Sequence, residues 1–208
     1  MQLIISSQPR EFTPSKGTVW EIDGEAGRIS VRAPALSDIF IDPHKGGQPT
    51  ATASRHNAAL LMTNPLEGDF QFGATVNVEF AAAFDAGVLF LKINETHWAK
   101  LCFEYSPDLK PMVVSVVNKG GTSDDANAFI VDGREVKLRI SRKDGVFAFH
   151  ATNNDESWTL VRIFAFEIDD KNLQIGFEAQ SPTADGCNVS FSACSLTGVS
   201  LADFRNGS

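Results

Sequence analysis

Apolar and polar residues alternate along much of the chain, most clearly over residues 70–80. The sequence there, FQFGATVNVEF, places three phenylalanines, two valines and an alanine on one side and polar residues or glycine on the other. A period of two is typical of a β-strand with one buried face. Residues 28–33 show the same pattern. Both segments are therefore predicted to be strands whose sheet is covered by a core on one side.

Further strands are predicted wherever such alternation lies between turn sequences. Residues 88–93 and 98–105 flank the polar stretch 94–97, which predicts a hairpin. The other predicted strands are 112–117, 136–142, 146–151, 158–168, 173–180 and 188–196. No segment has a sustained helical period. The pattern therefore predicts an all-β protein, a sandwich of two antiparallel sheets.

The connecting segments complete this picture. Residues 1–208 are interpreted as a single domain, with the core of the sandwich over about 18–196. Residues 42–57 form one long loop, and a loop of this length in a compact domain is often functional. Residues 123–125 are predicted to lie in a polar loop. The tail at 198–208 is expected to fray, as chain ends commonly do.

Glu21, Asp23 and Glu25 form an E-x-D-x-E pattern that resembles the catalytic strand of family 16 glycoside hydrolases. A retaining glycosidase needs two carboxyl groups about 5–5.5 Å apart. However, Asp23 and Gly24 form a strong hairpin-turn sequence, and a well-patterned strand starts again at Arg28. The pattern therefore predicts an acidic turn with solvated carboxylates rather than a catalytic strand.

Composition narrows the classes of function. The chain has 16 Phe and one Tyr among 208 residues, which indicates an extensive core with few buried hydroxyl groups. Its formal net charge of −8 argues against binding to nucleic acid and to membrane surfaces. The first residues do not resemble a signal peptide, and three cysteines without metal-type spacing do not suggest a disulfide framework. A cytoplasmic location is therefore expected.

The candidate ligand site begins with the segment HWAKLCFEY, residues 97–105. Alternation there places Trp98, Lys100 and Glu104 on the face opposite the core. An outward indole ring flanked by charged groups suits stacking on a sugar and hydrogen bonding to its hydroxyl groups. A solvated face with a half-covered Trp98 is the simpler interpretation.

Other polar residues are expected to join this face. Arg139 lies on a predicted strand with its side chain away from the core, and His150 and Arg162 lie on the strands that follow. Ser123 and Asp124 are candidates to help bind a ligand. Neither this segment nor the pair His44 and His56 has the spacing of a calcium or zinc site, so no metal ligand is predicted.

Several short sequences occur in a recognisable order: Asp85-Ala86-Gly87, His97-Trp98-Ala99-Lys100, Glu104, Ser123-Asp124, Leu138-Arg139-Ile140-Ser141-Arg142 and residues 175–182. This order resembles an uncharacterised concanavalin A-like lectin/glucanase family that includes the fungal regulation-of-enolase protein, over roughly residues 18–195. The resemblance implies a jelly-roll sandwich in the cytoplasm and does not imply a reaction. A sugar site on the concave sheet follows by analogy only.

This chain departs from the family at one loop. Family members often have Ser-Asp-Trp-Ser where this chain has Ser123-Asp124-Asp125-Ala126. Any stacking role of that tryptophan is lost here.

Three hypotheses for function follow. The leading one is a non-catalytic, carbohydrate-binding-like protein with its ligand site on the concave sheet. A glycoside hydrolase-like enzyme is an alternative that requires Asp124 or Glu178 to approach Glu104. The third is an intracellular protein-interaction module that regulates a metabolic enzyme. The expected partners are thus a glycan or small molecule, or a protein, and no cofactor is expected.

Overall fold

The computed structural model describes residues 1–24, 27–44, 54–153 and 157–208. All regular secondary structure in these residues is β, and they contain no helix that could cross a membrane. In chain order the strands are β1 (Gln2–Ile5), β2 (Gln8–Glu11), β3 (Thr13–Pro14), β4 (Trp20–Asp23), β5 (Arg28–Arg32), β6 (Ile39–Phe40), β7 (Arg55–His56), β8 (Ala59–Thr63), β9 (Phe70–Glu79), β10 (Ala86–Asn94), β11 (His97–Tyr105), β12 (Pro111–Lys119), β13 (Ser123–Ile130), β14 (Glu135–Lys143), β15 (Val146–Thr152), β16 (Thr159–Ala165), β17 (Gln174–Gln180) and β18 (Asn188–Thr197).

Two seven-stranded antiparallel sheets form the sandwich. The front sheet has the order β13-β12-β11-β10-β17-β8-β3, and the back sheet has the order β16-β15-β14-β9-β18-β5-β4. Two small hairpins, β1-β2 and β6-β7, lie outside these sheets. The prediction of an all-β sandwich of two antiparallel sheets is confirmed.

The core lies between the two sheets and is rich in phenylalanine. Phe177 of the front sheet packs against Phe72 and Phe191 of the back sheet, with ring centroids 5.2 and 4.7 Å apart. All three rings are fully buried. Burial of large apolar side chains is the main favourable term in folding, so this contact holds the two sheets face to face.

The front sheet is covered on its outer face as well. Val88, Phe90, Trp98 and Val114 point away from the main core, yet each is at most 1 % exposed. Ile39 and other residues of the segment before β8 pack on them and form a second apolar cluster. The outer face of the front sheet is therefore an interior surface over much of its area.

Most of the predicted strands are present, and the hairpin predicted at 94–97 joins β10 to β11. The prediction of a polar loop at residues 123–125 is wrong. These residues begin β13, which pairs with β12 at the edge of the front sheet. Most of the predicted loop at 42–57 lies outside the described residues. In its described part, Arg55–His56 forms a short strand.

The acidic E-x-D-x-E segment divides between a strand and a turn. Glu21 and Asp23 lie on β4 and are exposed, and the next strand starts at Arg28 as predicted. Glu25 lies outside the described residues. The expectation of a turn between two strands is therefore confirmed, although Asp23 ends the strand rather than beginning the turn.

The tail at 198–208 packs on the back sheet instead of fraying. Leu201 is 3 % exposed, and its carbonyl oxygen accepts a hydrogen bond from Lys143 Nζ at 2.7 Å. Further along, the carbonyl oxygens of Phe204 and Gly207 accept hydrogen bonds from His150 and Arg139. Side-chain donors on the sheet thus hold the tail in place.

Candidate functional site

Cross-strand pairing gathers polar residues on the outer face of the front sheet. On β11, alternation turns Trp98, Lys100 and Glu104 to this face, as predicted. Glu178 on β17 lies opposite Val88, which lies opposite Cys102 on β11, so Glu178 shares the same face. Residues far apart in sequence therefore meet on one surface.

A short segment crosses this face and covers its centre. Residues 37–42, called the strap below, are attached at one end where Ser37 N donates to Ser181 O at 3.1 Å. At the other end Ser123 N donates to Ile41 O, and Ile41 N donates to Ser123 Oγ, both at 2.9 Å. Because Ser181 follows β17 and Ser123 begins β13, the strap runs over the strands between them.

Lys100 is the centre of a buried polar cluster beneath the strap. Its ammonium group donates hydrogen bonds to Asp38 Oδ1 and Gln180 Oε1, each at 2.9 Å. Glu178 Oε1 lies 3.9 Å from the same nitrogen. Gln180 is held in this orientation because its Nε2 donates to Phe84 O at 3.1 Å. The cluster thus ties the strap to two strands of the sheet.

Burial and charge shift the protonation of this cluster in opposite directions. Burial alone would lower the pKa of Lys100, but the adjacent Asp38 and Glu178 outweigh it and raise that pKa. Burial raises the pKa of Glu178 to about 8, with Lys100 acting against this effect and Asp38 adding to it. Lys100 is therefore charged at neutral pH, whereas Glu178 is largely protonated.

Two further carboxyl groups border the cluster on the outer face. Glu104 is partly exposed and Asp125, on β13, is exposed. Although neither residue is buried as a whole, neighbouring side chains remove much of the water from each carboxyl group. This desolvation, together with the charge of Asp125, raises the pKa of Glu104 well above its usual range, and desolvation also raises the pKa of Asp125. Protonated carboxyl groups both donate and accept hydrogen bonds, so this border is suited to hydroxyl groups of a ligand.

Several buried polar atoms on this face have no hydrogen-bond partner among the described residues. These atoms are both carboxyl oxygens of Glu178, the indole Nε1 of Trp98 and Nδ2 of Asn118. Trp98 and Asn118 are opposite one another on β11 and β12. Buried polar atoms normally have a partner, so this face has unused hydrogen-bonding capacity.

Trp98 does not have the exposure expected of a stacking platform. Its side chain is 1 % exposed and packs beside Phe90, with ring centroids 6.1 Å apart. The ring lies on the face opposite the main core, as predicted, but the expectation that it is exposed or half-covered is wrong. The strap and the residues next to it pack on the outer face and bury this ring. Alternation along one strand shows which face a residue points to, but it does not show whether another segment packs on that face.

Arg139 and His150 do not lie near Glu104. They are on β14 and β15, which belong to the back sheet, and so the prediction of a shared surface is wrong. Arg139 Nη2 donates to Gly207 O at 2.7 Å, and its guanidinium lies 4.1 Å from the centre of the Trp158 ring. Burial lowers the pKa of Arg139 to about 10 and also lowers that of His150. Both residues hold the tail.

Arg162 and Asp124 meet at an edge of the sandwich. Arg162 Nη2 donates to Asp124 Oδ1 at 2.8 Å, which links β16 of the back sheet to β13 of the front sheet. Both residues line a surface depression of about 450 Å³. Ser123 points instead to the strap, through its hydrogen bond with Ile41.

The largest depression described lies at one end of the sandwich and includes none of the predicted site residues. Its volume is about 1090 Å³, and it is lined by Lys92, Arg142 and Asp170 among others. Arg142 and Asp170 are paired at 2.8 Å. No group of three or more His, Cys, Asp or Glu side chains in the described part of the chain is arranged to hold a metal ion.

The sequence analysis did not place Asp38, Gln180 or Asp125 in this cluster. It named Glu178 only as a carboxyl group that could lie near Glu104 in a glycoside hydrolase-like enzyme. The sequence does contain a signal for Glu178, because an ionisable residue stands out in the buried strand segment IGFEAQ. Asp38 has none, because it lies in a short connecting segment 62 residues before Lys100.

Comparison with known proteins identifies the family and the fold. The model of the family described as "Protein of unknown function (DUF1349)" matches residues 15–199. The chain therefore belongs to this family. No match was found among curated proteins.

Solved structures with the same fold include proteins of different kinds. A functionally unknown protein from Saccharomyces cerevisiae has 24 % identity and a TM-score of 0.72, with 90 % of this chain and 96 % of that chain covered. The carbohydrate-binding module CBM66 from Bacillus subtilis has 12 % identity and a TM-score of 0.54, with 89 % and 94 % covered. At these identities the likeness shows the fold alone.

A xylan β-1,4-xylosidase from Bacillus halodurans is similar in fold to this chain over part of its length. The identity is 11 % and the TM-score 0.68, with 86 % of this chain and 34 % of that chain covered. This chain thus spans about a third of the enzyme's length, and the likeness says nothing about the activity of the whole enzyme.

Proposed function

We propose that this member of the DUF1349 family is a non-catalytic carbohydrate-binding protein. Its ligand would contact the outer face of the front sheet beside the strap, where Glu104 and Asp125 reach the surface. The observation that carries the proposal is the polar cluster around Lys100, with its unused hydrogen-bonding atoms, on a sheet face that is otherwise apolar. Burial of such groups costs free energy unless they are used in binding or structure.

The comparisons support the ligand class without identifying a ligand. A carbohydrate-binding module and part of a xylosidase share this fold. Lys100, Asp38 and Gln180 also have a structural role, since they anchor the strap. The proposal therefore assigns ligand contact to Glu104 and Asp125, and it assigns no stacking to the buried Trp98.

Calorimetric titration with neutral, amino and acidic oligosaccharides, including xylo-oligosaccharides, tests this proposal. Glu104→Ala and Asp125→Ala should each weaken binding about tenfold, because each removes a hydrogen-bonding carboxyl group. Glu135→Ala is the matched control, since Glu135 is exposed on β14 of the back sheet. Absence of binding by every oligosaccharide, or equal affinities of the three variants, would contradict the proposal.

A glycoside hydrolase-like enzyme is a second candidate because two carboxyl groups lie close together. Asp38 and Glu178 are both within 4 Å of Lys100 Nζ. However, Asp38 is 3 % exposed and Glu178 is 0 % exposed, so a substrate would reach them only if the strap moved. Release of reducing sugar from xylan, lost in Glu178→Gln, would favour this alternative.

A protein-interaction module that regulates a metabolic enzyme is the third candidate. It rests on the resemblance to the family that includes the fungal regulation-of-enolase protein, together with the expected cytoplasmic location. Exposed apolar residues such as Ile4 and Val19, at 79 % and 77 %, are compatible with a protein contact. Co-purification of one metabolic enzyme in constant ratio would favour it.

A further inference from the structure

The cluster beneath and beside the strap has an excess of carboxyl groups. One ammonium group, that of Lys100, interacts with four carboxyl groups, those of Asp38, Glu178, Glu104 and Asp125. Arg162 also acts on Asp125, but its guanidinium is bound to Asp124 at 2.8 Å. Within the described residues, Lys100 balances Asp38, and no further cation is directed at Glu104 and Asp125 when these two groups ionise.

The hydrogen bonding of Glu178 points independently to a missing partner. Its side chain is 0 % exposed, and neither of its oxygens accepts a hydrogen bond from a described residue. Lys100 Nζ is 3.9 Å from Oε1, beyond hydrogen-bonding distance, because its donors are directed to Asp38 and Gln180 at 2.9 Å. A buried carboxyl group in this state lacks the donor that normally accompanies it.

We infer, on the basis of the carbohydrate site proposed above, that this site prefers a carbohydrate bearing an ammonium group over neutral and acidic carbohydrates. An ammonium beside Glu104 and Asp125 would compensate the charge of these two carboxyl groups as they ionise. A carboxylate ligand there would add a fifth acidic group in a partly desolvated place, which is unfavourable. A neutral sugar would form hydrogen bonds with these carboxyl groups but would not compensate their charge.

Binding of an ammonium group should be coupled to the release of a proton. Burial and neighbouring carboxyl groups raise the pKa of Glu104, so this side chain keeps its proton to a higher pH than an ordinary glutamate. A bound cation favours the ionised carboxylate, and the displaced proton passes to the buffer. As long as the ligand's amino group stays protonated, affinity for the amine should therefore rise with pH until Glu104 is ionised without ligand.

Three matched tetrasaccharides test the preference by calorimetric titration of the whole chain. They are β-1,4-linked glucosamine, glucose and glucuronate units, which differ in charge but share one backbone. We expect the amino form to bind about tenfold more tightly than the neutral form, and the acidic form to bind most weakly. Titration in buffers of different ionisation enthalpy should show proton release for the amino form alone.

The variant Glu104→Gln separates charge from hydrogen bonding. It keeps a side chain of the same size that donates and accepts hydrogen bonds, but it cannot ionise. The ratio between the affinities for the amino and the neutral tetrasaccharide should fall from about tenfold to about twofold or less, because only the amino form gains from an ionised carboxylate. Glu135→Gln, on the back sheet, should retain both, and an unchanged melting temperature would confirm that each variant folds.

The outcomes distinguish this inference from the function on which it rests. If no tetrasaccharide binds, both are overturned. If the neutral or acidic form binds at least as tightly as the amino form, carbohydrate binding stands and the preference is overturned. A lysine amide that binds as tightly as the amino tetrasaccharide also overturns it, because the site would then recognise a protein amine rather than a sugar.

Discussion

At the scale of single residues, Lys100 determines how the outer face of the front sheet is built. It is 2 % exposed, and its three nearest oxygen atoms come from the strap and from β17. Removal of one partner from a buried ionic group leaves the others uncompensated, which is costly. The residue therefore contributes to stability mainly by neutralising Asp38.

Lys100→Met should lower the free energy of unfolding by about 3–5 kcal/mol, because the buried carboxylate of Asp38 loses its cation. Urea denaturation followed by fluorescence measures the change. Adding Asp38→Asn to this variant should recover part of the loss, since the buried charge is then removed. Lys171→Met is the control, because Lys171 is exposed and its ammonium pairs with Asp169 on the surface, and it should be indistinguishable from wild type. An equal loss in both lysine variants would contradict the assignment.

At the scale of elements, the strap depends on its two attached ends. Ser123, 5 % exposed at the start of β13, forms two hydrogen bonds with Ile41, one through its backbone and one through its hydroxyl group. Ser37 forms the contact with Ser181 at the other end. The tail is attached to the back sheet in the same general way, through Arg139 and His150. The strap and the tail have few backbone hydrogen bonds to the two large sheets, and individual side chains hydrogen-bonded to their backbone hold them in place.

Ser123→Ala should loosen the strap without disrupting either sheet. The substitution removes the acceptor of the Ile41 N–H but leaves the backbone hydrogen bond in place, at a cost of about 1 kcal/mol. Hydrogen exchange of the Ile41 amide should accelerate roughly fivefold to tenfold, whereas exchange in the central strands should follow only the change in global stability. Ser190→Ala is the control, because its hydroxyl group makes no hydrogen bond within the described residues. Unchanged exchange at Ile41 would refute this role of Ser123.

At the scale of the whole molecule, the two sheets have a shared phenylalanine core and different outer faces. The strap covers the polar cluster on the front sheet, and the tail covers Arg139 and His150 on the back sheet. The buried carboxyl groups of the front face have a consequence for the entire protein, since their protonation is coupled to folding. Stability should therefore depend on pH in a range where ordinary carboxyl groups do not titrate.

Glu178→Gln should flatten the dependence of stability on pH between about 4.5 and 8. In the unfolded chain the carboxyl group has its ordinary pKa of 4.5, whereas in the folded protein its pKa is about 8. Between these values folding takes up a proton, so the contribution of Glu178 to stability is full below this range and is lost as pH rises, by about 1.4 kcal/mol per pH unit. Urea denaturation across this range measures the difference between the variant and wild type. Parallel profiles of the two proteins would contradict the raised pKa, and Glu135→Gln should give the wild-type profile.

Much of the fold follows from local patterns. Alternation placed Phe70, Phe72 and Val76 on the core side of one strand, and their burial confirms it. Alternation also correctly predicted that Lys100 and Glu104 point to the face of their sheet away from the core. A period of two reports which side of its own sheet a residue faces, because successive side chains point in opposite directions. These statements need no knowledge of other strands.

The candidate site depends on information that such patterns do not contain. Arg139 and Lys100 both point away from the core, yet they lie on different sheets, since a strand's neighbours are chosen by pairing between distant segments. Asp38 reaches Lys100 only because the strap crosses the folded sheet. Local alternation is thus enough to predict the strands and the side of the sheet that each residue faces. Which of those faces are shared and which are covered depends on the folded chain, because long-range pairing and packing bring the strap and the tail onto them.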